Sequence, residues 1–156
     1  MAKSKKSGLK LDLSTHNLLS CLFFAVVGIL LLALRSGSLE ILMTVAGVLL
    51  IATIAEDMSA DDLRSMCEAL RDTSEDAVIV IGNKNKEKGN INFACGCAKG
   101  AIAKGMNAGN IVREVARLAG GSGGGRPDFA MAGGKDISKA EEAVAAVEAI
   151  VTSMSK

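Results

Sequence analysis

The residues best suited to chemistry gather in the last third of the chain. Five glycines fall within residues 120–125 and run directly into Arg126, Pro127, Asp128 and Phe129. Ordering so many glycines costs much backbone entropy. A plain linker would continue in Gly and Ser; this stretch instead becomes stiff, charged and aromatic. Such glycines turn the chain tightly or let another backbone come close. Around them, Lys99, Lys104, Arg113, Arg117 and Arg126 fall on a strand end, a loop, a helix and the glycine-rich turn. If the elements assemble as their patterns predict, these cations line one basic surface. Groups of this kind position a phosphate backbone without reading its sequence. The candidate binding residues are therefore Lys99, Lys104, Arg113, Arg117, Gly123, Gly124, Gly125 and Arg126. Lys84, Lys86 and Lys88 read instead as a solvated loop.

Catalytic patterns are missing. The glycine-rich stretch lacks the Lys-Ser/Thr of a phosphate-binding P-loop and follows a helix rather than a strand. The cysteines are Cys21, Cys67, Cys95 and Cys97, with His16 the lone histidine. Cys95-Gly96-Cys97 has no second pair to complete a zinc site. On a strand, Cys95 and Cys97 share one face and read as small core residues. No catalytic residue, metal or cofactor is expected.

The elements that must carry these residues follow from periodicity. Ser59 with Asp62 forms a capping box, and Leu63, Met66, Cys67 and Leu70 then mark an amphipathic helix. Residues 77–81 are a buried strand. Ile91, Phe93, Cys95 and Cys97 alternate with smaller or polar residues, a half-buried strand, so the two strands form a hairpin with a basic loop. Asn107 caps a helix whose stripe is Ile111, Val112, Val115, Leu118 and Ala119, and Gly120 stops it. Ser138 with Glu141 is a second capping box, starting a helix that buries Val144, Val147, Ile150 and Val151. The fold class is α/β, a small mixed β-sheet with packed helices, and 156 residues suit a small domain with an appendage.

Charge is uneven although the net value is only +1. Residues 56–76 hold eight acids and two bases, whereas residues 83–126 hold eight bases and two acids. A basic middle with an acidic shoulder suits oriented approach to a polyanion. With 3 % aromatics and neither Trp nor Tyr, a base-stacking platform is not expected.

The N-terminal third differs. Four lysines within residues 1–10 precede two apolar runs, residues 18–34 and 41–55, joined by a turn at Arg35, Ser36, Gly37 and Ser38. Each run is at or below the short limit for a membrane span. Together they predict an apolar helical hairpin over residues 1–55, ahead of a domain over residues 56–156. The lysines would keep the N-terminus cytoplasmic, and a hairpin would return the domain to that side. Residues 48–55 also suit a first strand of the domain. A second copy of the chain, as a homo-oligomer, would be another way to cover the apolar N-terminus.

Residues 120–134, Gly-Gly-Ser-Gly-Gly-Gly-Arg-Pro-Asp-Phe-Ala-Met-Ala-Gly-Gly, resemble the signature near the C-terminus of alanyl-tRNA synthetases. It lies in the small DHHA1-type RNA-binding domain that DHH phosphoesterases also carry. The phosphoesterase versions have Gly-Gly-Gly-His, so Arg126-Pro127 favours the synthetase branch. The match extends over roughly residues 56–150; Met131 departs from the usual Gln. The resemblance implies a tRNA-binding module that contacts the outer corner of tRNA mostly through shape and backbone. The family's ATP-binding core and the metal ligands of its editing domain are absent from this sequence. The module would thus bind without catalysing, in the cytoplasm. The alternative function is a membrane-anchored adaptor whose domain binds a protein or a nucleotide.

Overall fold

The computed structural model describes residues 40–45 and 47–155. Its sheet has six strands in the order β1-β2-β3-β4-β6-β5. They are β1 (Glu40–Val45), β2 (Val48–Glu56), β3 (Ala77–Asn85), β4 (Asn90–Cys97), β5 (Ser122–Gly125) and β6 (Phe129–Gly134). Only β2 and β3 are parallel, and helix α1 (Ala60–Arg71) supplies the crossover that such a pair requires. The other helices are α2 (Lys99–Ala103), α3 (Ala108–Leu118), α4 (Ala140–Ala145) and α5 (Val147–Met154). The mixed α/β class is as the patterns predict.

Residues 41–55 correct the expectation of a membrane helix. Over residues 48–52 the side chains alternate, with Val48, Leu50 and Ala52 buried and Leu49 and Ile51 half-buried. That pattern is a strand's. Gly47, at φ +75°, closes a tight turn, and β1 folds back on β2 with Val45 opposite Val48. Residues 48–55 are thus a strand, as their alternative reading had it, but the second of the sheet rather than the first. The expected helix over residues 18–34 lies outside the described residues, and among those described no helix is long and apolar enough to cross a membrane.

Strand β3 lies between β2 and β4, and its residues from Ala77 to Asn83 are all buried. On one face Val48, Leu50, Val78, Val80, Phe93 and Cys95 pack with Ile111, Val112 and Val115 of α3 and Val144, Val147 and Val151 of the last helices. On the other, Ala77, Ile79, Ile81 and Ala94 meet Leu63 and Cys67 of α1. Burying side chains of this size stabilises by about 1.5–3 kcal/mol each. Strand β4 is covered on both faces, Ala94 and Gly96 included, rather than half-buried. The thiols of Cys67 and Cys95 are driven toward the neutral form by desolvation, Cys67 up to about 12.

The caps at Ser59 and Asn107 form, with the backbone N–H of Asp62 donating to Ser59 Oγ and that of Asn110 to Asn107 Oδ1, each at 3.1 Å. Two details differ from expectation. Leu118 is 41 % exposed instead of joining the core stripe. Asp136, not Ser138, starts the final helical stretch: its carboxylate accepts from the Ser138 N–H at 3.0 Å, and a 3-10 turn (Ile137–Lys139) precedes α4. The hydrogen bonds from Ser138 hold the Asp136 carboxyl below its usual range.

Candidate nucleic-acid interface

The glycine-rich stretch is not a loop. Residues 122–125 form β5, an edge strand paired antiparallel with β6, Gly123 opposite Ala132 and Gly125 opposite Ala130. Glycine has little intrinsic preference for a strand, so packing must explain it. A Cβ on Gly121 would collide with the Gly133 carbonyl oxygen, and one on Gly123 with Ala132. At Gly109, in the first turn of α3, an added Cβ would lie 2.6 Å from the Gly125 carbonyl oxygen. The glycines therefore let helix and edge strand pass backbone against backbone, the second of the two roles expected of them.

Both ends of this unit are fixed. Helix α3 stops in a Schellman motif, with Gly121 N–H donating to Ala116 O at 2.8 Å and Gly120 N–H to Arg117 O at 3.1 Å. Gly120 there takes φ +65°. At the far end, residues 126–128 turn the chain into β6. Arg126 N–H donates to Phe129 O at 3.1 Å, Ala108 N–H to Pro127 O at 3.0 Å and Cys97 N–H to Asp128 O at 3.0 Å. The turn is thus tied to its own hairpin, to the start of α3 and to the end of β4.

The structure divides the expected cations into groups. Arg113 projects from α3 over β5: its guanidinium would be 3.1 Å from a Cβ on Gly124, and its polar partner is Asn110 Oδ1 at 3.5 Å. Arg126 sits on the turn, 71 % exposed, in a loose pair with Asp128 at 3.4 Å. Lys99, the first residue of α2, shares a cleft with Asp128 and has no ion pair among the described residues. Arg113, Arg126 and Lys99, with Gly123, Gly124 and Gly125, therefore cluster around the hairpin. Lys104 is held elsewhere, donating to the Gly47 carbonyl and paired with Asp76 at 2.9 Å. Arg117 lies a turn beyond Arg113 along α3 and is paired with Glu114 at 3.1 Å.

Two cations escaped the sequence reading. Arg71, in the last turn of α1, lines the same cleft as Lys99 and Asp128. Arg64 lies over the Phe129 ring, 5.1 Å from its centroid, a cation–π arrangement. Their spacing along α1 marked a helix surface, but not which strand would lie beside it. Among the described residues, no group of His, Cys, Asp and Glu is arranged to hold a metal ion.

Comparison with known proteins agrees with this fold. The DHHA1 domain family matches residues 46–153. The alanine–tRNA ligase of Alkaliphilus oremlandii is 42 % identical over 107 residues, 69 % of this chain and 12 % of the relative. That of Shouchella clausii is 45 % identical over 111 residues, 71 % of this chain and 12 % of the relative. The chain therefore spans a small part of the length of these relatives. The C-Ala domain from Aquifex aeolicus alanyl-tRNA synthetase superposes with a TM-score of 0.65 and 32 % identity, over 73 % of this chain and 98 % of that one. The DHH domain of a member of the s1p family of ribosomal proteins shares the fold alone, at 14 % identity and a TM-score of 0.53, over 81 % of this chain and 30 % of that one.

Proposed function

The chain belongs to the DHHA1 domain family, and on that premise we propose that it is a nucleic-acid-binding module whose partner is tRNA. The observation that carries the reading is the pinned glycine hairpin with Arg126 on its turn and Arg113 of α3 over it, in a chain similar over 69 % of its length to part of an alanine–tRNA ligase. Guanidinium groups make strong, charge-assisted hydrogen bonds to phosphate oxygens. Pinning the turn with three backbone hydrogen bonds lowers the ordering cost of binding. The module holds folded RNA by its backbone and shape, in the cytoplasm, and leaves chemistry on the RNA to other parts of a synthetase or to a separate enzyme.

The test is binding of labelled tRNA to the full chain at rising salt. Affinity should fall linearly on a log–log plot, because each neutralised phosphate releases counterions. Arg113→Ala should reduce the slope by about 1. Absence of binding at low salt, or affinity indifferent to salt, would refute the reading.

A further inference from the structure

A cleft of about 520 Å³ opens beside the hairpin, between the C-terminus of α1, the start of α2 and the turn at residues 126–128. That volume is in the range of about 300–1,000 Å³ typical of small-ligand sites. Its chemistry is not that of a bare phosphate site. Lys99 and Arg71 stand on its walls, but so do Asp72, Glu75 and Asp128. Neither Lys99 nor Glu75 has an ion-pair partner among the described residues. Arg71 is anchored, its aliphatic stem packed on Gly96 and its guanidinium on Asp72 at 3.1 Å. Asp128 is fixed through its backbone to Cys97, and its loose pair with Arg126 engages Oδ1. Ile102 and Cys97 supply apolar surface.

Carboxylates repel phosphate and only accept hydrogen bonds. Beside two cations, they suit a ligand that joins an anionic group to a row of N–H donors. A nucleotide is such a ligand, with a phosphate on either side of a base. Guanine alone among the four RNA bases places two N–H groups side by side on its pairing edge, N1–H and N2–H, matching the two oxygens of one carboxylate. Adenine and cytosine set an acceptor beside their amino group, and uracil flanks its single N–H with carbonyls. That edge is free only in an unpaired nucleotide, the form in which RNA sequence is usually read.

We propose that this cleft receives one unpaired guanine nucleotide of a bound RNA, with Asp128 accepting from its pairing edge and Lys99 and Arg71 facing its phosphates. The inference rests on the nucleic-acid-binding reading and adds base selectivity to it. The probes are uridine hexamers with a single internal guanosine, adenosine or cytidine, beside the all-uridine hexamer, titrated against the full chain at fixed salt. The guanosine hexamer should bind about tenfold more tightly than the others, toward the lower end for a bidentate base contact. Asp128→Asn, which keeps size and backbone, should abolish that preference while the thermal melt stays near wild type. Lys99→Ala should weaken all four hexamers several-fold and leave their ranking unchanged. Equal affinity for the four hexamers, or a preference that survives Asp128→Asn, overturns the guanine site while tRNA binding keeps the broader reading intact. Loss of tRNA binding by the wild-type chain sinks both.

Discussion

Two hairpins end at opposite ends of the sheet, and both carry cations. The β3–β4 hairpin reverses through residues 86–89, and the β5–β6 hairpin through residues 126–128 at the other end of the β4–β6 pair. The first is the more basic in sequence, with Lys84, Lys86 and Lys88 close together. It is nevertheless the more neutralised. Lys84 pairs with Glu141 at 2.9 Å and Lys86 with Glu56 at 2.6 Å, while the Lys86 N–H donates to Asp57 at 2.8 Å. Its hydrogen bond to Glu56 pushes the Lys86 ammonium above its ordinary pKa. The second hairpin has fewer cations, but Arg113 has no ion pair among the described residues and Arg126 only a loose one. Availability to a polyanion depends on which acids the fold brings alongside, not on the local count of bases.

The largest effect should separate the hairpins by backbone approach. Gly109→Ala forces a methyl into the Gly125 carbonyl, an obstacle that cannot rotate away. A loss of about 3 kcal/mol in a urea melt is expected, partly offset by the helix propensity of alanine. Gly89, in the basic loop, has open space around it but a φ of +63°, so Gly89→Ala should cost only about 1 kcal/mol. Equal midpoints for the two variants would remove the argument that the glycines exist for close packing.

A second test uses the buried face of β4. Because burial raises the Cys67 and Cys95 thiols, the unfolded chain releases their protons first. Their stabilisation is fully present below the ordinary thiol value of 9.0 and is lost as pH rises from there toward about 12 for Cys67. Chemical melts between pH 8 and 11 should therefore show falling stability, a trend that Cys67→Ala and Cys95→Ala lessen. A flat profile would mean that the thiols titrate freely.

Binding should separate the hairpins next. Arg113→Ala and Arg126→Ala should each weaken tRNA by about 1–3 kcal/mol, with unchanged circular dichroism melts. If Arg126→Ala instead costs as much in folding as in binding, its role is to fix the turn through Asp128. The smallest effect belongs to Lys84→Ala and Lys86→Ala. Each loses one ion pair at the surface, an interaction of small weight, and should leave tRNA affinity unchanged. A loss matching that of Arg113→Ala would show that the paired lysines bind RNA too.

Elements with a strong period and a polar cap were legible in the sequence. Helices α1 and α3 declared themselves through Ser59, Asn107 and their apolar stripes, and β3 through its unbroken Val and Ile. Residues 41–55 misled because a continuous apolar run suits a buried strand pair as well as a membrane helix, and Gly47 was the one mark of the reversal. Strand β5 was hidden for the opposite reason. Glycine has no side chain to show a period, and its strand exists only because β6 and α3 lie against it. The site shows the same limit. Arg113, Arg126 and Lys99 could be named, but not the diversion of Lys104 to Asp76 and Gly47, nor the approach of Arg71 from α1 to Lys99.

The strand order also bears on how the chain acquires its structure. The sheet consists of three hairpins, each closed within a short stretch of chain, and two seams that join them, β2 to β3 and β4 to β6. Hairpins form in about 1–10 μs, whereas the seams must wait for α1 and for the α2–α3 segment to close longer loops. The glycine hairpin has almost no side-chain burial of its own on β5, so it gains stability only once β6 docks on β4. Pulse-labelled hydrogen exchange during refolding should accordingly protect the amides of Ile79 and Ala94, which bond within the β3–β4 hairpin, well before that of Gly124, making the proposed RNA interface the last part of the sheet to set.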